Sequence, residues 1–226
     1  MFWLVEDDKQ LELFKKFAKG EAFVEIIPNN HFEHPTNNGV CAIYVRPLNS
    51  DKGFILTNNH SETLNVGIDA IKYVLNALDK IYVRDKKEFL HYFVLQKLFD
   101  ITLTLPTYIP DRTTSHQYFY YKYPNKEDVN RIVPIVKHYE YCENIFNDLK
   151  NRINEPINNF YNDKAAVVFN AVERSGLRID RDRFKSYFYD ERSEYVYTQY
   201  NFKTLTTRPA NKFNGINYAA LNKDNG

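Results

Sequence analysis

Glycine and methionine are scarce in this chain of 226 residues, with seven and one respectively. Neither G-x-x-x-x-G-K-[S/T] nor G-x-G-x-x-G occurs. Without such a loop of backbone N–H groups to cradle phosphates, nucleoside triphosphate hydrolysis and dinucleotide chemistry have no support. Cysteine is nearly absent too. Cys41 and Cys142 stand far apart and make neither a disulfide framework nor a CxxC metal site. Their apolar and aromatic neighbours suit inert thiols, and no G-x-S-x-G elbow offers a serine nucleophile. No apolar run approaches the roughly 20 residues of a membrane helix. The opening MFWLVEDDKQ lacks a basic stretch and an apolar core, so no secretory signal is expected there. These absences predict a cytoplasmic, reducing setting without membrane contact. Neither sign of charge dominates: Lys and Arg number 30 against 29 Asp and Glu, a formal net charge of +1.

What the chain does have is aromatic bulk, 18 Tyr and 17 Phe, within a 43% hydrophobic composition that can bury a core. Val5-Glu6-Asp7-Asp8 ahead of Leu11, Phe14, Phe17 and Ala18 predicts a capped amphipathic helix stopped at Gly20. Strand-like runs follow at Ala22–Pro28, Val40–Leu48 and Gly53–Asn58, separated by turn-rich stretches, as in a three-strand meander. Ile68, Ile71, Leu75 and Leu78 form a helical stripe. Lys80–Val83 reads as a buried strand, Lys86–Leu98 as a helix and Asp100–Leu105 as another strand. Strands interleaved with helices predict an α/β domain with a mixed sheet covered on its faces. Residues 106–130 form a polar, aromatic loop bounded by Pro106, Pro110 and Pro124, and the pattern from Ile132 to Ile153 is helical again. NEPINNFYND then serves as a joint, dividing the chain into residues 1–155 and 156–226.

The second part differs in charge. Residues 161–226 carry 11 Lys and Arg against 8 Asp and Glu, whereas residues 1–160 carry 19 against 21. Arg178, Arg181, Arg183 and Lys185 interleave with Phe184, Tyr187, Tyr195, Tyr197 and Tyr200, which suits either a surface tracking a nucleic-acid backbone or a solvated helix face. His31 and His34 lie in a loop with no further ligands at metal-binding spacing, so they are expected at the surface. His60, His91, His116 and His138 receive no role. Glu25 falls inside the first meander strand and Glu143 on the late helix, four residues after Tyr139.

The C-terminal run Thr204-Leu-Thr-Thr-Arg208-Pro-Ala-Asn211-Lys-Phe-Asn-Gly215-Ile-Asn217-Tyr-Ala-Ala-Leu-Asn222-Lys resembles the T-x-T-G-R-x-S-x-x-P-N-L-Q-N-I-P segment of family A DNA polymerases, particularly the phage-type branch. Val172-Glu173-Arg-Ser-Gly176-Leu-Arg-Ile179-Asp180 is similar to the M-E-x-x-G-V-x-I-D segment that opens the polymerase domain there. The helix carrying it has Ala165, Val168, Phe169 and Val172 on one face, the expected packing face. Here Thr207 replaces the family glycine, Ala210 the serine, and Ala219 and Ala220 later amides. The resemblance implies that 156–226 is a mainly helical thumb base entering the palm. It further implies that Thr206, Arg208, Asn211, Lys212 and Asn217 contact primer-template DNA. The palm carboxylates that hold Mg²⁺ in a complete polymerase would lie beyond this segment. Nucleotidyl transfer would then belong to an assembly with a palm-and-fingers half, on another chain or missing, in the host cytoplasm if the chain is phage-encoded. No cofactor is implied for this chain itself.

The same resemblance makes residues 1–155 a ribonuclease H-like 3′–5′ exonuclease-type domain, with relic positions at Glu25, Tyr139 and Glu143. The family's first motif is Asp-x-Glu on the first strand. Here Glu25 takes the place of the Asp, and Ile27 that of the Glu. The second motif falls on Arg84-Asp85-Lys86-Lys87-Glu88-Phe89 and lacks its metal acid. The third, Y-x-x-x-D, reads Tyr139-Glu-Tyr-Cys-Glu143. Two metals need several carboxylates, so cleavage is expected to be lost. The alternative reading is a replisome protein-interaction module docking through the aromatic 106–130 loop.

Overall fold

The computed structural model describes residues 3–31, 33–104, 129–157, 160–183, 193–202 and 210–211. A three-residue strand, β1 (Trp3–Val5), leads into α1 (Asp8–Phe17), whose N-cap Asp7 accepts a hydrogen bond from the Gln10 N–H at 2.7 Å. The long strands β2 (Glu21–Pro28) and β3 (Val40–Pro47) follow, then β4 (Phe54–Thr57), α2 (Ile68–Ala77), β5 (Lys80–Val83), α3 (Lys86–Tyr92) and β6 (Leu98–Asp100). Beyond the loop lie α4 (Ile135–Leu149) and α5 (Phe160–Ser175). The short strands β7 (Leu177–Arg178), β8 (Tyr195–Val196), β9 (Tyr200–Asn201) and β10 (Ala210–Asn211) pair in two small antiparallel ribbons.

The six-stranded sheet runs β1-β4-β3-β2-β5-β6. The meander β2–β3–β4 is antiparallel, and β5 and β6 add parallel to β2. This mixed sheet, covered by helices, bears out the expected α/β class. Strand alternation sorts side chains onto two faces. Val24, Ile43, Val45, Leu56 and Ile81 meet α1, α2 and α3 through Leu11, Phe14, Ile71, Leu75 and Phe89. Phe23, Ile27, Ala42, Tyr44, Ile55 and Tyr82 meet α4 through Cys142, Ile145, Phe146 and Leu149. Each fully buried Ile, Leu or Phe stabilises the fold by about 1.5–3 kcal/mol. Both thiols, Cys41 and Cys142, are free and buried in this second core.

The structure moves several expected boundaries. β1 was not anticipated, because Val5 and Glu6 read as a helix entry; in fact Trp3–Val5 pairs parallel with Phe54–Leu56. The helix expected over Lys86–Leu98 stops at Tyr92, where Phe93 turns extended at φ −137° while its N–H still bonds the Phe89 carbonyl. The strand expected at Asp100–Leu105 ends at Asp100 instead. The Asp100 carboxylate accepts from the N–H of Lys86 and from the N–H and hydroxyl of Thr102, which bends the chain into a 3-10 turn over Ile101–Thr104. Helix α4 starts only after Pro134 and gives way to a 3-10 turn over Lys150–Arg152. Helix α5 packs on the wrong side for the expectation: Val168 and Val172 are 60% and 42% exposed, and the buried stripe is Ala166, Asn170 and Glu173. Of the expected face, Phe169 alone stacks on a neighbour, Phe202 at 5.6 Å, with Tyr200 alongside.

Candidate functional site

Glu25 lies mid-strand on β2, between Phe23 and Ile27 on the α4 face, and is 6% exposed. The β2–β5 register pairs Phe23 with Tyr82, so the residue two further along, Arg84, arrives beside Glu25. Its Nε and Nη2 both donate to Glu25 Oε1, at 3.0 and 2.7 Å. Burial lifts the Glu25 carboxyl above its ordinary range, and Arg84 pulls the other way. Burial also opposes the charge on Arg84, yet Glu25, Tyr141 and Glu88 hold the guanidinium firmly protonated. Two N–H donors on one oxygen fit an ionised carboxylate, because a guanidinium does not deprotonate in proteins. Glu88, one turn into α3, completes the group with Oε2 at 3.8 Å from Arg84 Nη2.

The third acid belongs to a different cation. Tyr139 and Glu143 sit one helical turn apart on α4. Glu143 Oε1 accepts from the Tyr44 hydroxyl and, at 3.2 Å, from Arg46 Nη1. Arg46 lies over the Phe146 ring at 5.0 Å, and Tyr139 meets Tyr44 edge-on at 5.9 Å. Burial and then the Glu143 bond drive the Tyr44 hydroxyl far above its usual range, so it stays a donor. Gly53 fits here because any Cβ would strike the Tyr44 ring and Glu143 Oε1. Glu25 and Tyr44 are cross-strand partners, yet the two acids flanking Tyr44 end on separate arginines.

The expected fold family implies divalent metals, and these residues do not fit them. An inner-sphere metal needs carboxylate oxygens that are not already committed to cations. Glu25 Oε1 and Glu143 Oε1 each hold a guanidinium, and among the described residues no group of three or more His, Cys, Asp or Glu is placed to hold a metal ion. The stretch expected to supply the second motif does structural work instead. Asp85 caps α3 by accepting from the Glu88 N–H at 3.0 Å, and Lys86 pairs with Asp163 of α5 at 2.9 Å.

A second constellation escaped the sequence reading. Glu173, expected only as part of a motif, is 1% exposed and accepts from Lys87 Nζ at 2.5 Å, His91 Nε2 at 2.7 Å and the Tyr200 N–H at 2.6 Å. Burial works against its charge, but His91, Lys87 and the Tyr200 amide outweigh it and hold the carboxyl below the ordinary range. His34, expected at the surface, is buried. Its Nδ1 accepts from the Thr36 N–H, so Nε2 carries the proton and donates to the Thr198 carbonyl at 3.2 Å. His60 and His138 are likewise buried, each with Nε2 against a backbone carbonyl, Val133 and Asn130, at 2.8 Å. The one sequence signal for Glu173 is a polar stripe on α5: Asp163, Asn170 and Glu173 fall on one face with Ala166.

Of the expected DNA-contacting residues, Thr206, Arg208, Lys212 and Asn217 lie outside the described residues, as does nearly all of the aromatic loop. Asn211 is placed by its backbone alone, opposite Tyr200 in the β9–β10 ribbon. Among the described residues no helix is long and apolar enough to cross a membrane.

The matches are to solved structures. No family model and no curated protein matches this chain. A mutant of the catalytic core of RRP6 from Trypanosoma brucei is 14% identical at a TM-score of 0.43, covering 77% of this chain and 52% of that one. The Escherichia coli RNase D, an exoribonuclease involved in structured RNA processing, is 12% identical at a TM-score of 0.45, covering 67% and 45%. A second structure of the RRP6 core gives 12%, 0.38, 68% and 48%. The chain spans about half the length of these structures. Likeness at this level carries no argument about activity, and the fold class rests on the sheet order described above.

Proposed function

We propose that this chain is a non-cleaving 3′–5′ exonuclease-like domain joined to the start of a phage-type family A polymerase domain. It grips primer-template DNA for a palm-and-fingers half that carries the catalytic Mg²⁺. The observation that carries the non-cleaving part is the Arg84–Glu25 pair. A guanidinium occupies the strand acid on which a metal-dependent nuclease would rely. The DNA-gripping part is supported by the resemblance of the run from Thr204 to Lys223, which carries Arg208, and by the excess of Lys and Arg in residues 161–226.

Phosphate contacts release counterions, so binding falls steeply with salt. Primer-template affinity is expected to drop by at least tenfold between about 50 and 200 mM salt, and Arg208→Ala to weaken it by roughly 1–3 kcal/mol. Absence of binding at the lower salt, or an unchanged Arg208→Ala, removes the DNA role. With Mg²⁺ or Mn²⁺ and a labelled single strand, no shortening is expected. Cleavage that disappears in Glu25→Gln would overturn the non-cleaving reading.

A further inference from the structure

The stretch from Tyr195 to Phe202 leads into the run that carries Thr206 and Arg208, and it is fastened to the domain again and again. Val196 is buried and pairs with Leu177 in the β7–β8 ribbon. The Tyr197 ring lies 5.5 Å from the His34 ring and closes over Gly176, where an added Cβ would stand 2.8 Å from Tyr197 Cε1. Gly176 also has φ +65°, a left-handed conformation that favours glycine. His34 Nε2 donates to the Thr198 carbonyl at 3.2 Å, and the Tyr200 N–H donates to Glu173 Oε1 at 2.6 Å. Phe202 is buried and stacks on Phe169 with ring planes 7° apart. These partners belong to the turn capped by His34, to α5 and to the residues just beyond it. Glu173 is in turn held by Lys87 and His91 of α3.

Strand pairing passes this fixation on. Tyr200 and Asn201 pair with Asn211 and Ala210, so the chain leaves the pinned strand β9 and returns to it at β10. Thr206 and Arg208 fall in the sequence between these two strands. Both ends of that connection are therefore tied, through Tyr200, to Glu173. We propose that Glu173 and Gly176 are positioning residues for the DNA-contacting run. The body of the domain is a mount that sets the base of the β9–β10 ribbon, and with it Thr206 and Arg208, against primer-template DNA. A group ordered before contact has less freedom to lose on binding, so a mount raises affinity without adding a contact. A carboxylate suits the task, because an ionised acceptor makes the stronger hydrogen bond. The non-cleaving body thereby serves the grip through packing. The inference rests on the proposed DNA role and adds to it the residues that hold the run in place.

The test uses the full chain and a fluorescein-labelled primer-template at about 50 mM salt, read by fluorescence anisotropy. Two variants loosen the mount from different sides. Gly176→Ala drives a Cβ against the Tyr197 ring and leaves the Glu173–Lys87 pair in place. Lys87→Met/Glu173→Met removes the acceptor of the Tyr200 N–H without stranding a buried charge. In both, hydrogen exchange of the Tyr200 amide is expected to quicken and primer-template affinity to fall at least about tenfold, while the amides of β2 and β3 stay protected. A double-mutant cycle separates positioning from mere support of the fold. With Arg208 positioned by the mount, Arg208→Ala weakens binding far less in the Gly176→Ala background than in wild type. If Gly176→Ala exposes the β2 and β3 amides, the same cycle is run on Lys87→Met/Glu173→Met. Additive losses, unchanged affinity in both variants, or a Tyr200 amide that exchanges no faster in either overturns the inference. So does lost protection of β2 and β3 in both variants, since these residues would then hold up the body rather than the run. A wild-type chain that does not bind primer-template removes the DNA role and the inference together. Wild-type binding with additive losses removes the inference alone.

Discussion

A carboxylate in the middle of a sheet face is tolerated only when nearby donors offset its lost hydration, and at Glu25 those donors belong to Arg84. Removing one partner of such a buried pair is far more damaging than removing both, because the survivor is left charged and dry. Arg84→Met is expected to destabilise the protein by about 3–5 kcal/mol in urea unfolding. The double variant Glu25→Met/Arg84→Met should recover most of that loss. A single variant costing under about 1 kcal/mol would show that the pair is not a buried ion pair in solution. At this scale the sequence was half legible. Glu25 and Glu143 could be placed on strand and helix from local pattern alone. Their arginines could not, because the partners stand 59 and 97 residues away and meet only through strand register and helix crossing. His34 was misplaced for the same reason, since its Thr198 partner is 164 residues distant.

Elements were easier to find than to orient. Local propensity and turn residues located β2 to β5 and the five α-helices of the described residues, because each signal lies within one window of sequence. Which face of a helix is buried depends on its neighbour, and α5 misled through its valines: a 3.6-residue period of apolar residues reads as a core face whatever eventually covers it. The feature that decides the orientation is Glu173 with its three donors. Glu173→Ala is expected to strand Lys87 in a dry pocket and cost about 3–5 kcal/mol. Lys87→Met/Glu173→Met should cost much less. Hydrogen exchange of the α5 amides is the direct readout, and protection in Glu173→Ala equal to wild type would rule out this anchoring role.

At the scale of the molecule, the alternation of strands and helices announced an α/β domain, while the order β1-β4-β3-β2-β5-β6 and the edge position of β1 required the three-dimensional pairing. Two buried joints of the assembled chain, His34 to the Thr198 carbonyl and His138 to the Asn130 carbonyl, depend on neutral histidines. Burial, and then His91, lowers His34 from the usual 6.5 to about 4, with Lys87 adding to the effect and Glu173 and the Thr198 carbonyl opposing it. Burial likewise takes His138 to about 4 against the pull of the Asn130 carbonyl. The fold thus prefers the uncharged ring, whereas the unfolded chain charges its histidines near 6.5. Their contribution is complete above about pH 6.5 and is lost as pH falls toward about 4. Urea midpoints followed across that window should fall more steeply for wild type than for His34→Gln or His138→Gln. Parallel curves would show that these rings do not couple protonation to folding.

The burial of both thiols has a practical corollary. Burial pushes the Cys41 thiol up to about 12, and complete burial raises the Cys142 thiol as well. Reagents that alkylate sulfur attack the thiolate, so the native protein presents them with almost nothing to modify. A cysteine placed on an outward position such as Val168 can therefore carry a spin label or dye alone, without first stripping the natural pair from the sheet.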